Sequence, residues 1–454
     1  MFGTNEEYLR MQTEKCRRND AIPDELFERN GAFRGLRDLN GNGVLAGLTN
    51  VSEIKAFEKK DGRKIPCEGK LTYRGTDVED LMESLGDGFG FERTAYLLLI
   101  GEEPSEEDLR LFGETLADMR RLPKNFTRDV VMKAPTGDLM NNMTRSVLTL
   151  ASYDRTALVR TPENALRQFM QMISEFPMLA AYGYHAYNHY EKRKSMFIHP
   201  PERSLSTAEN LLRMLRPDKR YTHTEAKALD AALILHMEHG GGNNSTFTAR
   251  VVASSGSDAY STIAAAMSSL KGPRHGGANV KAFEMMKEIA RNVKNPEDGN
   301  EVSEYLEKIL EGEAFDGSGL IYGMGHAVYS LSDPREKILR KFALELAEEK
   351  GARRKAALYE TVREEAIRLI CRKRKIYKGV CPNVDFYSGF VYGMLGIPKE
   401  LFTPLFATAR IAGWSAHVME EILGNGKIIR PAYMSVPEAA KTERRISEGS
   451  DGTY

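Results

Sequence analysis

Residues Leu229–Asn244 read LDAALILHMEHGGGNN. An apolar helical run ends in His236 and His239 and then in Gly240, Gly241 and Gly242. The two histidines are i, i+3 neighbours and share a helix face. The glycines stop the helix and let backbone come close to a ligand. Three readings of this segment stand together. The histidines favour the negative end of a helix dipole, they bind a ligand, or they hold zinc. For zinc there is no HExxH or HxxEH pattern and no obvious third ligand.

Outward from this stretch, helical periodicity dominates. Val302, Tyr305, Leu306, Ile309 and Leu310 follow the i, i+3, i+4, i+7, i+8 rule. Asp333-Pro334-Arg335-Glu336 predicts a helix start, with Asp333 as cap and Pro334 at the first helical position. Ile338, Phe342 and Leu346 would be its buried stripe. Thr403-Pro404 starts another helix, expected to end near Gly424. Strand signals concentrate between Gly43 and Arg74, where β-prone pieces alternate with Asn-Gly and Asp-Gly turns. The expected fold class is all-α with a small β-hairpin element near the N-terminus.

The chain has 454 residues, 41% hydrophobic and 28% charged, which is ordinary for a globular protein and too apolar for a disordered one. Lys plus Arg and Asp plus Glu are 64 each. This balance argues against a generic binder of nucleic acid or of an anionic membrane. Cys16, Cys67, Cys371 and Cys381 are too scattered for a disulfide scaffold, and no CxxC occurs. No apolar run approaches the roughly 20 residues that span a membrane. Glu6, Glu7, Glu14 and Asp20 argue against a signal or transit peptide. A cytoplasmic location is expected.

Three glycine-rich pieces mislead. Asp38–Gly43 opens like a calcium loop, but its twelfth position is Thr49, where a bidentate Glu is needed. Gly424-Asn425-Gly426-Lys427 lacks P-loop spacing. Gly86, Gly88 and Gly90 follow no buried strand, so they make no dinucleotide site.

Two more segments carry histidine beside glycine. In Lys271–Asn279 (KGPRHGGAN), His275 sits at a tight turn before a helix containing Phe283, Met286 and Ile289. The positive helix end disfavours imidazolium. A neutral imidazole there suits stabilising an enol or enolate; a plain turn histidine is the competing reading. In Gly319–Val328 (GLIYGMGHAV), three glycines in seven residues allow backbone to wrap a flat or phosphorylated ligand, and His326 ends the loop. Arg335, in the first turn capped by Asp333, makes this an anion-pocket candidate, against an arginine merely paired with its capping acid. Asp385 has apolar or uncharged neighbours, so burial could raise it toward a general base; helix capping is the alternative. Arg410 has Phe406, Ala407, Gly413 and Trp414 around it on a helix, so it needs a distant anion, from the protein or from a substrate.

The strings HMEHGGGN, GPRHGGAN, GMGHAVYSLSDPR, PNVDFYSG, ATARIAGWSAH and IIRPAY, in this order, resemble citrate synthase of the Si-face type, a family including 2-methylcitrate synthases. YRGTDVEDL near residue 73 resembles its N-terminal segment, and the likeness spans roughly residues 40 to 433. The resemblance implies a two-domain all-α fold. Residues 1–277 and 396–454 would form a large domain, and 278–395 a small domain that closes over substrate. It implies condensation of acetyl-CoA with oxaloacetate and hydrolysis of citryl-CoA to citrate and CoA. In that scheme His275 would bind the thioester carbonyl, Asp385 would take a methyl proton, and His326 would protonate the ketone. His239, Arg335 and Arg410 would bind the dicarboxylate, with Arg430 supplied by a neighbouring subunit in a homodimer or larger homo-oligomer. Leu320, Gly323, Gly325 and Asn383 would line the CoA site. No cofactor, metal, nucleic acid or membrane partner is implied, since CoA thioester is a substrate. Arg372-Lys373-Arg374-Lys375 with Lys378 could meet CoA phosphates or form a solvated face. Ser330 stands where some relatives carry a basic residue. Propionyl-CoA as donor, a catalytically silent paralogue and a metallohydrolase using His236 and His239 are the rival readings.

Overall fold

The structure is a computed structural model that describes residues 2–38, 43–60, 63–326, 328–374, 379–424 and 426–436. The described residues form 17 α-helices and one three-stranded antiparallel sheet. The chain falls into two compact units. One comprises residues 1–48 and 430–454, the other residues 49–429. The first contains helices Phe2–Asn19 and Asp24–Arg29. The boundaries expected at 277/278 and 395/396 both fall inside the second unit.

The sheet opens the second unit. Strands β1 (Ser52–Lys60) and β2 (Arg63–Tyr73) pair antiparallel, Ser52 opposite Tyr73, and β3 (Thr76–Asp77) closes on β2. The strands thus begin at Ser52 rather than at Gly43. Helices follow: α1 (Pro162–Tyr190), α2 (His223–His236), α3 (Asn244–Ser254), α4 (Ala259–Leu270), α5 (Ala278–Asn292), α6 (Gly299–Leu310), α7 (Pro334–Glu349), α8 (Val384–Met394) and α9 (Phe402–Leu423).

Two helices are enclosed almost all round. In α2 every residue from Glu225 to His236 is buried. α9 packs against α1, α2, α3 and α4, and buries Trp414 and Arg410 completely. α7 starts as expected, with Asp333 capping the Arg335 N–H and Pro334 at its first position. Its stripe is rotated from the one expected. Leu339, Ala343, Leu346 and Ala347 are buried, while Ile338 and Phe342 are half-buried at its flank. This buried face packs against α2 and α8. α9 begins at Phe402, one residue before Thr403, and is capped at Gly424. α6 buries Val302, Leu306 and Ile309 as its periodicity predicts.

All four cysteines are free. No helix among the described residues is long and apolar enough to cross a membrane. Of the misleading turns, residues 39–42 and Asn425 lie outside the described residues.

Candidate active site

α2 delivers His236 at its last turn, and the chain leaves the helix through Met237 to His239. This exit is gripped from two sides. Tyr73 of β2 donates to the carbonyls of Ile234 (3.1 Å) and Glu238 (3.2 Å). Arg410 of α9 donates from Nε to the carbonyl of His236 at 2.6 Å. Both histidines are buried, and burial first, then nearby arginines, disfavours their charged forms. His236 is pushed down to about 3 and His239 well below its usual range. His236 Nδ1 lies against the Ala232 carbonyl of its own helix, so it serves the helix end as a neutral hydrogen-bond partner. Among the described residues, no group of three or more His, Cys, Asp or Glu is arranged to hold a metal.

A second loop faces this one. His326 lies with its ring 5.0 Å from that of His239, and Tyr329 lies 4.7 Å from His326 and 5.5 Å from His239. The backbone N–H groups of Val328 and Tyr329 both donate to His326 Nδ1, each at 3.0 Å. Nδ1 is therefore an acceptor, and the proton of the neutral ring sits on Nε2. Arg335 Nη2 is 3.3 Å from that same Nε2. Two donors side by side make no bond with each other; they converge on the place where an oxygen acceptor would lie. β2 supports this loop from behind, since Tyr329 donates to the Lys70 carbonyl (3.2 Å) and Gly69 N–H to Ser332 Oγ (3.1 Å).

Arg335 itself is paired. Its Nε and Nη2 meet Asp333 Oδ1 and Oδ2 at 3.0 and 2.7 Å, both side chains buried. Arg335 is thus bound to its capping acid, buried rather than on the surface, and also turned toward His326. Burial acts to weaken its proton affinity, and Asp333 more than offsets this.

Asp385 reaches the site because the 320–326 loop is zipped to the segment before α8. Gly325 N–H donates to the Cys381 carbonyl (2.8 Å) and Asn383 N–H to the Gly323 carbonyl (2.9 Å). Asn383 works at both ends of its amide. Oδ1 caps α8 by accepting from Asp385 N–H (3.0 Å), and Nδ2 donates to the Gly325 carbonyl (2.9 Å). Capping therefore falls to Asn383 and not to Asp385. Gly323 must be glycine, with φ +80° and a would-be Cβ 3.0 Å from Phe386. No hydrogen bond from the described residues reaches the Asp385 carboxylate. Burial raises it to about 6, against the pull of Arg335 and Arg410.

His275 lies in the turn between α4 and α5. Its Nε2 is 3.1 Å from Asn243 Oδ1 and 3.0 Å from Ser245 Oγ, at the start of α3. It is pushed down to about 4, by burial first and then by Arg410. Burial and Arg410 both favour its neutral form. Arg410 has its Nε bond, the Phe406 ring 4.6 Å away, and a buried Nη1 with no partner. No carboxylate of the described residues forms an ion pair with it. Burial pushes it down to about 10.

The structure thus gathers His239, His326, Arg335, Arg410, Asp385 and His275. Leu320 is exposed. Arg430 belongs to the other compact unit and is exposed. Of the basic run, Arg372 pairs with Glu307 of α6 and Lys373 with Glu311 at the C-terminal end of that helix; Lys375 and Lys378 lie outside the described residues. Ser330 Oγ is buried without a partner. Sequence reasoning missed Tyr329, Asn243, Ser245, Glu238 and His417 as site residues. Glu238 and His417 carried a signal, being acidic and basic residues inside otherwise apolar or glycine-rich strings.

The family model described as citrate synthase, C-terminal domain, matches residues 38–432. The chain is 35% identical to a citrate synthase of Synechocystis sp. over 414 residues, 89% of this chain and 93% of that one. It is 33% identical to 2-methylcitrate synthase 2 of Corynebacterium glutamicum over 393 residues, 86% of this chain and 92% of that one. Its structure resembles the citrate synthase of the archaeon Thermoplasma acidophilum, solved as a ternary complex with carboxymethyl coenzyme A and oxaloacetate. That match has a TM-score of 0.72 and 27% identity, and covers 88% of this chain and 95% of that one. The chain belongs to the citrate synthase family, with that family's fold.

Proposed function

We propose that this protein condenses acetyl-CoA with oxaloacetate and hydrolyses the resulting citryl-CoA to citrate and CoA. The observation that carries the reading is one cluster holding a carboxylate raised to about 6, two neutral imidazoles and two buried arginines. Removing a proton next to a thioester needs a base near neutrality and a donor for the developing oxyanion. Asp385 takes a proton from the acetyl methyl. His275 donates to the thioester oxygen, giving an enol. Ser245 Oγ donates to Asn243 Oδ1 (2.8 Å), so this step requires its proton to swing to His275 Nε2 and the ring proton to sit on Nδ1. As the enol carbon bonds to the oxaloacetate ketone carbon, the enol O–H proton returns to His275 and the thioester carbonyl re-forms, while the ketone oxygen receives the Nε2 proton of His326, which solvent later restores. Water then cleaves the thioester, releasing citrate and CoA. No cofactor enters this sequence.

Arg410, with its unpartnered Nη1, and Arg335 and His239 hold the two carboxylates. Arginine forks suit planar carboxylates. Arg430 would reach the site of a neighbouring subunit in a homodimer or larger assembly. Its exposure, and exposed Leu148, Tyr153, Leu158 and Val159, support that arrangement. Leu320, Gly323, Gly325 and Asn383 would meet CoA, and residues 278–395 would close over substrate and exclude water. The location would be cytoplasmic.

A second reading is favoured by the comparable likeness to a 2-methylcitrate synthase. One extra methylene in an acyl pocket is worth about 1–3 kcal/mol. Product identification decides between them. The protein is incubated with oxaloacetate and either acetyl-CoA or propionyl-CoA, and products are identified by mass spectrometry. Citrate at the higher kcat/KM supports the first reading, a preference for 2-methylcitrate the second, and no product from either donor overturns both.

A further inference from the structure

Behind His239 lies a buried polar chain that none of the proposed chemical steps uses. Glu238 and His417 are both completely buried. His417 Nε2 is 2.9 Å from Glu238 Oε1. On its other side, Arg250 Nη2 is 2.7 Å from His417 Nδ1. An arginine only donates, so Nδ1 accepts and Nε2–H is the proton given to Glu238. Arg250, His417 and Glu238 thus form one directed chain running from α3 through α9 to the loop that bears His239. Arg250 is held in turn by Glu420 and by Glu421. Thr49 Oγ1 lies 3.4 Å from Nδ1. The Glu238 carboxylate is further fixed by Ser52 Oγ at 2.9 Å and by the Gly240 N–H.

α9 presents three successive contacts to this loop. Arg410 grips the His236 carbonyl, Gly413 leaves room for Met237 and Glu238, and His417 binds the Glu238 carboxylate. Their spacing of i, i+3 and i+7 puts them on one helix face. A Cβ on Gly413 would lie 2.2 Å from the Met237 carbonyl oxygen and 2.5 Å from Glu238 Oε2. The loop is therefore seated directly on the α9 backbone, between the arginine with the unpartnered Nη1 and the histidine that ends the chain.

We infer that His417, polarised by Arg250, is a positioning residue for the dicarboxylate pocket: it anchors Glu238 and so sets His239 against Arg410. The inference rests on the dicarboxylate reading of the site. Glu238 and His417 touch no reacting atom in that reading, so their loss acts on oxaloacetate and not on the thioester.

Calorimetric titration of the full-length protein with oxaloacetate tests this, together with separate KM values for oxaloacetate and acyl-CoA. A misplaced binding group costs on the order of 10²-fold. His417→Ala is expected to weaken oxaloacetate by about that factor. The acyl-CoA KM is expected to stay close to wild type. His417→Gln offers a donor to Glu238 and an acceptor to Arg250. It is expected to recover affinity to within about tenfold of wild type, the scale of one ordinary hydrogen bond. Should His417→Ala fail to fold, Arg250→Leu carries the test, with the same selective loss at smaller amplitude expected. Wild-type protein that does not bind oxaloacetate overturns the reading of the site, and this inference with it. Wild-type binding that persists unchanged in the folded variants, or a loss shared equally by both substrates, overturns only the positioning role.

Discussion

Two buried arginines meet burial in opposite ways. Arg335, on α7, is 3% exposed and is clasped by both oxygens of Asp333. Arg410, on α9, is 1% exposed and has one backbone carbonyl, an aromatic ring and an unpartnered Nη1. The first region is complete as a folded structure. The second has no ion-paired carboxylate among the described residues, and the main opposing charge acting on it is Glu238. A buried cation without a paired carboxylate costs folding energy; in the proposed function a substrate carboxylate supplies the partner.

The largest expected effect does not involve either arginine but the base both of them face. Asp385→Asn should leave melting unchanged and lower kcat by about 10²–10⁴-fold, the usual share of general acid–base catalysis. Near wild-type turnover would remove Asp385 from the mechanism. Next come the arginines, whose responses should diverge. Arg335→Gln strands Asp333 and should destabilise the fold by about 3–5 kcal/mol, measured by denaturant unfolding. Arg410→Leu should leave stability equal or higher in the absence of substrate, while costing about 2–5 kcal/mol of oxaloacetate affinity. Equal destabilisation by the two substitutions would erase the contrast between the regions.

The pH profile follows from the same environment. In the proposed mechanism Asp385 works as a base only when ionised, and burial raises it to about 6. His275 and His326, each at about 4, stay neutral across that interval. The acid limb of kcat/KM should therefore fall about tenfold per pH unit below a midpoint near 6. In Asp385→Asn this limb should vanish. The smallest effect concerns the hinge between loop and helix. Asn383→Ala should cost about 1 kcal/mol of stability through the lost α8 cap. It should also lower kcat modestly, because the same amide holds the Gly325 carbonyl. Loss of stability with no change in kcat would make Asn383 a cap alone.

Much of this was legible before any coordinates. Asp333 and Pro334 marked the start of α7, because capping is local chemistry. The glycine beside each histidine marked loops that fold back on themselves. Arg410 stood out because its helical neighbours offered no acid. Other features depend on contacts distant in sequence. Nothing local announces that Tyr73 of β2 holds the end of α2, or that Asn383 ties α8 to the His326 loop. The stripe of α7 was misplaced because periodicity weights large side chains. There, the buried face includes alanines and leaves Ile338 and Phe342 at the edge. Glu238 and His417 stand in HMEHGGGN and ATARIAGWSAH, yet their pairing spans 179 residues.

The most direct test of the central claim is release of free thiol from acetyl-CoA, with and without oxaloacetate, by wild-type protein and by Asp385→Asn in parallel. The account predicts release that requires oxaloacetate in the wild type and nearly disappears in the folded variant. Release independent of oxaloacetate, or none from a folded wild-type protein with either acetyl-CoA or propionyl-CoA, would contradict it.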